Sequence, residues 1–193
     1  MPRNEVFNRD EVIENAMNLF WKKGYNGTSM QDLVDMTGLG RSSIYNSFGS
    51  KMDFYLMALN HYKALSADGF KKALMESTNP LESIEKIFHI TMIQAFNDNE
   101  SKGCFIVNCK TEMANSDSQI NNWLMMDQKQ AITMFEELVK NGQGQGLINT
   151  HASAEEHAYF LYNSLQGLRV SSITIKDKNV LDSILKNCLS VLK

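Results

Sequence analysis

Apolar residues recur at intervals of three and four along most of the chain and almost nowhere at intervals of two. Val12, Ile13, Ala16, Leu19 and Phe20 form the first stripe, opened by the capping-box spacing Asn8-Arg-Asp-Glu11 and ended by Gly24 and Gly27. Thr28-Ser-Met-Gln31 has the same spacing and predicts a short second helix with Met30, Leu33, Val34 and Thr37 facing inward. Gly38 then turns the chain into a short segment with Ile44, Tyr45 and Phe48 on one side. Ser50-Lys-Met-Asp53 predicts the cap of a fourth helix carrying Phe54, Tyr55, Ala58, Leu59 and Tyr62.

Asn79-Pro-Leu-Glu82 sets a cap, a first-turn proline and a capping-box glutamate in order before Ile84, Ile87, Phe88, Thr91, Ala95 and Phe96. The polar run NDNESKG interrupts the pattern ahead of a short apolar helix in CFIVNCKTEMA. Residues from about 118 to 141 carry Ile120, Trp123, Met134, Phe135 and Leu138, and NGQGQG closes them. Ser153-Ala-Glu-Glu156 opens a helix with Ala158, Leu161, Tyr162, Leu165 and Leu168. A last helix shows Val180, Leu181, Ile184, Leu185, Cys188 and Leu192. RVSSITI alternates as a strand would, but it is short and lies where a helix should be ending. The chain reads as all-α with about nine helices. The apolar pattern loosens at Ser66, Asp68 and Gly69, so one helix there is expected to serve both halves.

Composition narrows the classes. The chain has 193 residues, 43% of them hydrophobic, enough for one domain or two small ones with a true core. Only Pro2 and Pro80 occur, leaving long helices uninterrupted. No stretch of about 18 apolar residues is present to span a membrane, and the polar N-terminus lacks a signal core. Cys104, Cys109 and Cys188 match no zinc or CxxC spacing and suit reduced thiols, so a cytoplasmic protein is expected. A net charge of −3 argues against indiscriminate coating of nucleic acid while permitting a small local docking surface.

One segment breaks the usual surface chemistry. TGLGRSSIYNSFGSK, residues 37 to 51, offers Ser42, Ser43, Asn46 and Ser47 where a solvated helix face would carry Glu and Lys. No carboxylate occurs from 36 to 52. Two short helices around Gly38, propped by a longer one before them, make a helix-turn-helix arrangement whose second helix suits a DNA major groove. Hydroxyls, an amide and Arg41 can bond to bases or backbone, whereas carboxylates would repel phosphate. The same spacing also suits an ordinary αα-hairpin with a polar skin.

GTSMQDLVDMTGLGRSSIYNSFGSK, preceded by LFWKKGY, resembles the DNA-binding domain of TetR-type transcriptional regulators, densely over residues 8 to 56. The resemblance implies a DNA-binding domain over residues 1–52 and an effector-binding and dimerisation domain over 53–193. By position, Thr28 and Ser29 match a phosphate clamp at the start of the second helix, and Gly38 matches the turn glycine. Arg41, Ser42 and Ser43 match the start of the recognition helix, Tyr45 its phosphate-contacting tyrosine, and Lys51 the lysine beginning the fourth helix. Ile44 and Phe48 match core positions. Asn46 points outward where bases would lie. Gly40 stands where Ser or Thr usually caps, Ser47 replaces a frequent His or Tyr, and Gly49 replaces a frequent Lys or Arg. These departures imply fewer backbone contacts. Through residue 63, seven basic residues (Arg3, Arg9, Lys22, Lys23, Arg41, Lys51, Lys63) face seven acidic ones, so two copies should be needed for firm binding.

The resemblance further implies a double-stranded operator as partner and a small, mostly apolar effector held among helices four to eight. Aromatic and thioether candidates for its pocket are Phe88, Met92, Phe96, Met113, Trp123 and Met126. Tyr159, Tyr162, Asn108, Asn163 and Gln166 add polar groups, and all of these side chains would serve equally as core. KGCFIVN, residues 102 to 108, looks like a segment found in one subgroup of these regulators. The last two helices, near 153–173 and 178–192, would pair two copies into a homodimer. Gly167 inside LQGLR fits a close helix approach better than helix propensity.

Other chemistry finds no support. NGQGQG follows a helix and lacks Lys-Ser/Thr, so it is a turn and not a phosphate loop. His61, His89, His151 and His157 have no metal-ligand spacing, and Glu155-Glu156-His157 is a helix N-terminus with favourably placed acids. Cys104 and Cys109 lie five apart, off one helical face, and suit buried thiols better than a redox sensor. No metal, cofactor or catalytic residue is expected. The leading reading is a ligand-responsive DNA-binding repressor. A small all-α enzyme or carrier, and a helical adaptor, are the alternatives.

Overall fold

A computed structural model describes residues 7–193; Pro2, Arg3 and Glu5 lie outside the described residues. Nine helices are present in that range and no strand. They are α1 (Arg9–Lys23), α2 (Met30–Thr37), α3 (Arg41–Phe48), α4 (Lys51–Met75) and α5 (Pro80–Asn97). α6 (Phe105–Met113), α7 (Ser118–Gly144), α8 (Ala154–Ser171) and α9 (Lys178–Ser190) complete the set. RVSSITI is the end of α8 and the turn that follows it. Among the described residues no helix is long and apolar enough to cross a membrane.

Helix starts follow the polar signals, with one shift of register. Asn8, Ser50, Asn79 and Ser153 cap α1, α4, α5 and α8 as their spacing predicts. The box expected at Thr28 and Gln31 forms instead between Ser29 and Asp32. Thr28 turns inward, 1% exposed, and its hydroxyl donates to the Gly24 carbonyl at 2.6 Å, which leaves Ser29 as the first free cap. Gly38 ends α2 in the left-handed region, at φ 69°, as a turn glycine should. NGQGQG is half helical: α7 runs on to Gly144, because the Ile148 side chain folds back onto Gly142. Tyr45 does not share a side with Ile44 and Phe48. Those two, one helical turn apart, are fully buried, whereas Tyr45, about 100° around the helix, is 49% exposed.

Two cores result. The first joins Ala16 and Phe20 of α1, Leu33 of α2, Ile44 and Phe48 of α3, and Phe54, Tyr55 and Leu59 of α4. Phe105, Cys109 and Met113 of α6 and Ile120 and Leu124 of α7 belong to the same cluster. The second gathers Ile84, Ile87 and Phe88 of α5, Phe135 and Val139 of α7, and the inward faces of α8 and α9. α4 runs unbroken through Ser66, Asp68 and Gly69, its first half in one core and Ala73 in the other. One helix does serve both halves.

A carboxylate fastens the α1–α2 turn to α6. Glu112 accepts from the backbone N–H of Tyr25 at 2.9 Å and of Asn26 at 2.8 Å. Gly24, at φ 74°, leaves room for it; a Cβ there would lie 2.7 Å from a Glu112 oxygen. Glu112→Ala strands two amides, so the chain should lose about 1–3 kcal/mol of stability. Urea unfolding followed by circular dichroism measures it, and an unchanged midpoint contradicts the fastening role.

Candidate functional site

The outer face of α3 has no task inside the chain. Arg41, Ser42, Ser43, Tyr45 and Asn46 are exposed and Ser47 half-buried. Among the described residues no side chain of this group makes a hydrogen bond, ion pair or ring contact with another residue. Gly40, at the N-cap position, supplies no side-chain bond to the first amides of the helix. The inner face supports this arrangement rigidly, with Ile44 and Phe48 fully buried and the Phe48 ring stacked on Phe54 at 4.4 Å.

The nearby acids are occupied. Asp32 takes bonds from Lys23 and from the amide and hydroxyl of its cap Ser29, and the Lys23 bond leads in holding its carboxyl well below the usual range. Asp53 is held down in the same way by the Ser50 hydroxyl and amide. Asp35 accepts from Gln31. Ser29 is exposed but donates its hydroxyl to Asp32 at 2.7 Å. Lys51 is half-buried, its ammonium 4.3 Å from the Tyr25 ring centre, and burial lowers its pKa against the pull of Glu112 and Asp32.

An open cavity of about 560 Å³ lies where the two halves meet. Met17 and Trp21 of α1 form one wall, Tyr62, Leu65 and Ser66 of α4 another. Thr91, Gln94, Ala95 and Asn97 come from α5, and Arg169, Ser172 and Ile173 from the end of α8. The loop from Asp98 to Cys104 closes the rim. That loop is well braced. Gly103 N–H donates to Asp98 at 2.7 Å, Asn108 Nδ2 donates to the Lys102 carbonyl at 2.7 Å, and Glu100 holds both Lys22 and Lys102. Lys102 also stacks on Trp21, 4.4 Å from the ring centre.

The eleven pocket candidates read from the sequence do not line this cavity. Phe88, Met92 and Met113 are buried in the two cores. Met92 and Phe96 also border a separate depression between α5 and α9. The Tyr162 hydroxyl accepts from Lys110 at 2.7 Å, Trp123 donates to Asn60 at 3.0 Å, and Asn108 braces the loop. Met126, Tyr159 and Asn163 are exposed, and Gln166 is half-buried. Sequence reading missed Met17, Trp21 and Arg169 because two stand on a helix assigned to the head and the third sits past the apolar stripe of α8. Cys109 is fully buried, its thiol pushed up to about 11 by burial, and Cys104 lies on the cavity wall.

Residues 12–57 match the family model described as bacterial regulatory proteins, tetR family, and residues 80–187 match a tetracyclin repressor-like C-terminal domain. The HTH-type transcriptional repressor ComR of Escherichia coli is 28% identical over 171 residues, covering 88% of this chain and 81% of ComR. An uncharacterised HTH-type regulator of Bacillus subtilis, YezE, is 31% identical over 154 residues and 77% of each chain. Among solved structures, a cysteine-substituted CifR bound to 26-base-pair operator DNA superposes with a TM-score of 0.86 at 25% identity. That superposition covers 99% of this chain and 100% of CifR.

Proposed function

The chain belongs to the tetR family of bacterial regulatory proteins, and from that premise we propose that it is a transcriptional repressor whose α3 reads an operator. The observation that carries this reading is the acid-free outer face of α3, exposed and without bonds inside the chain. Relatives named as repressors, and CifR bound to operator DNA, support the same role. In this reading residues up to 52 form the DNA head, and 53–193 the effector-binding and dimerisation body. Arg41, Ser42, Ser43 and Asn46 face base edges, and Tyr45 and Lys51 face phosphate. Thr28, whose hydroxyl is spent on Gly24, and Ser29, engaged with Asp32, offer phosphate their backbone amides. The effector is a small molecule in the cavity beside α1.

A balanced head binds weakly alone, so the reading includes a homodimer through α8 and α9. Tyr159, Phe160, Val170 and Val180 are large apolar side chains left exposed on these helices. Gly167 lies among them on α8, and a Cβ there would meet nothing within 4 Å of its own chain. The close approach that this glycine suggests would therefore be to a second copy.

A gel shift against DNA upstream of the gene itself and its neighbours tests the first claim; only a sequence reader gives a complex that resists random competitor. Tyr45→Phe should weaken every sequence alike. Asn46→Ala should relax preference at one or two base positions, by roughly 1–3 kcal/mol. If Arg41→Ala, Tyr45→Phe and Asn46→Ala all bind as the parent does while staying folded, α3 is not the reading helix. For the dimer, Gly167→Leu should shift light scattering toward monomer without lowering helix content. A mass that stays dimeric moves the interface elsewhere.

A further inference from the structure

Among the described residues, the cavity has one cation without a hydrogen-bond or ion-pair partner. Four ionic side chains line it: Asp98, Glu100, Lys102 and Arg169. Glu100 is taken by Lys102 and Lys22, each at 3.1 Å, and Asp98 accepts the Gly103 amide. Lys102 is further held against the Trp21 ring. Arg169 is the lining cation left over among the described residues. It is half-buried, acts electrostatically on Tyr62, and its guanidinium has no hydrogen-bond or ion-pair partner there. The indole Nε1 of Trp21, another lining residue, is also a buried donor without an acceptor. A half-buried guanidinium that opens to a cavity and has no protein acceptor suits an ionised carboxylate, its strong two-point partner.

We infer that the cavity takes a compact organic monoacid, its carboxylate on Arg169 and its apolar or aromatic body against Trp21, Tyr62 and Ile173. The inference rests on the regulator reading above and narrows its effector. Volume suits it, since about 560 Å³ is within the usual range for small-molecule pockets. Of the two lining cations, Lys102 is paired with Glu100 and Arg169 has no ion-pair partner among the described residues; its planar guanidinium fork matches one carboxylate in two-point contact. A phosphate ester, with up to two charges, would find its second cation already committed to Glu100. Among the neutral polar walls, Thr91 and Ser172 donate to the carbonyls of Ile87 and Arg169, while Ser66, Gln94, Asn97 and Asn99 offer uncharged groups to the polar parts of a ligand. None of these carries a positive charge, so Arg169 remains the anchor for an anion.

The test uses the full chain and matched probes: phenylacetate, cinnamate and 4-phenylbutyrate, their primary amides, and phenyl phosphate. Thermal shift and calorimetry should show that at least one acid stabilises the protein in a dose-dependent way while its amide does not. Arg169→Gln should weaken that acid about tenfold or more, and Arg169→Lys should keep part of the affinity. Equal stabilisation by acid and amide overturns the inference. So does an acid response that survives Arg169→Gln, a preference for phenyl phosphate, or silence from all three acids. Operator binding is measured separately on the parent and on Arg169→Gln. A parent that binds no operator sinks the regulator reading, while the acid-against-amide comparison still decides the ligand.

Discussion

An aromatic contact among α1, α4 and α6 ties the helix-turn-helix segment to the rest of the molecule. Tyr55 of α4 takes Phe20 edge-on at 5.0 Å, Tyr25 at 5.1 Å and Phe105 of α6 at 5.5 Å. Edge-to-face packing of this kind is directional, so the rings set angles as well as burying area. Glu112 adds two charge-assisted bonds to the turn after α1 in the same place. Through these contacts α6 is fastened to α1 and to the turn that leads into α2. The helix-turn-helix segment is therefore joined to the rest of the chain covalently through α4 and by packing through α6.

That double link gives the cavity its importance. Met17 and Trp21 line it from the helix that props the reading unit, and Cys104 lines it one residue before Phe105 enters the shared core. A molecule seated there touches both ends of the contact that aligns the head. Occupancy matters to the head only if the molecule binds one head orientation better than another, since equal affinity shifts nothing. The geometry supplies the means, because α1 is at once a cavity wall and the support of α3. No long relay is required between the two sites.

The two surfaces differ in how they are kept ready. On α3, readiness comes from what the chain withholds: carboxylates are absent from 36 to 52, and the flanking Asp32 and Asp53 are engaged at helix starts. At the cavity it comes from how the charges are paired, with Glu100 and Lys102 joined, Asp98 held by an amide, and Arg169 without a bonded partner among the described residues.

Much of this was legible in the order of residues. Stripes at three and four, Asn, Ser and Asn-Pro caps, and the hydroxyl-rich stretch after Gly38 are short-range signals, each complete within about a turn or two of helix. They determined an all-α chain, the nine helices among the described residues, and the polar face of α3 that stays exposed. Even here the box at Ser29 moved by one residue, since the choice depended on whether the Thr28 hydroxyl could reach Gly24. The cavity was not legible. Its walls come from residues as far apart as Met17 and Ile173, and no local pattern distinguishes an aromatic that fills a core from one that borders a void. Phe88 and Trp21 look alike in the sequence. Only the packing of α1 against α4, of the 98–104 loop against α8, and the pairing of Glu100 with two lysines decided that Phe88 is core, Trp21 is wall, and Arg169 keeps a free charge, because those are long-range balances of volume and charge that exist only once the helices meet.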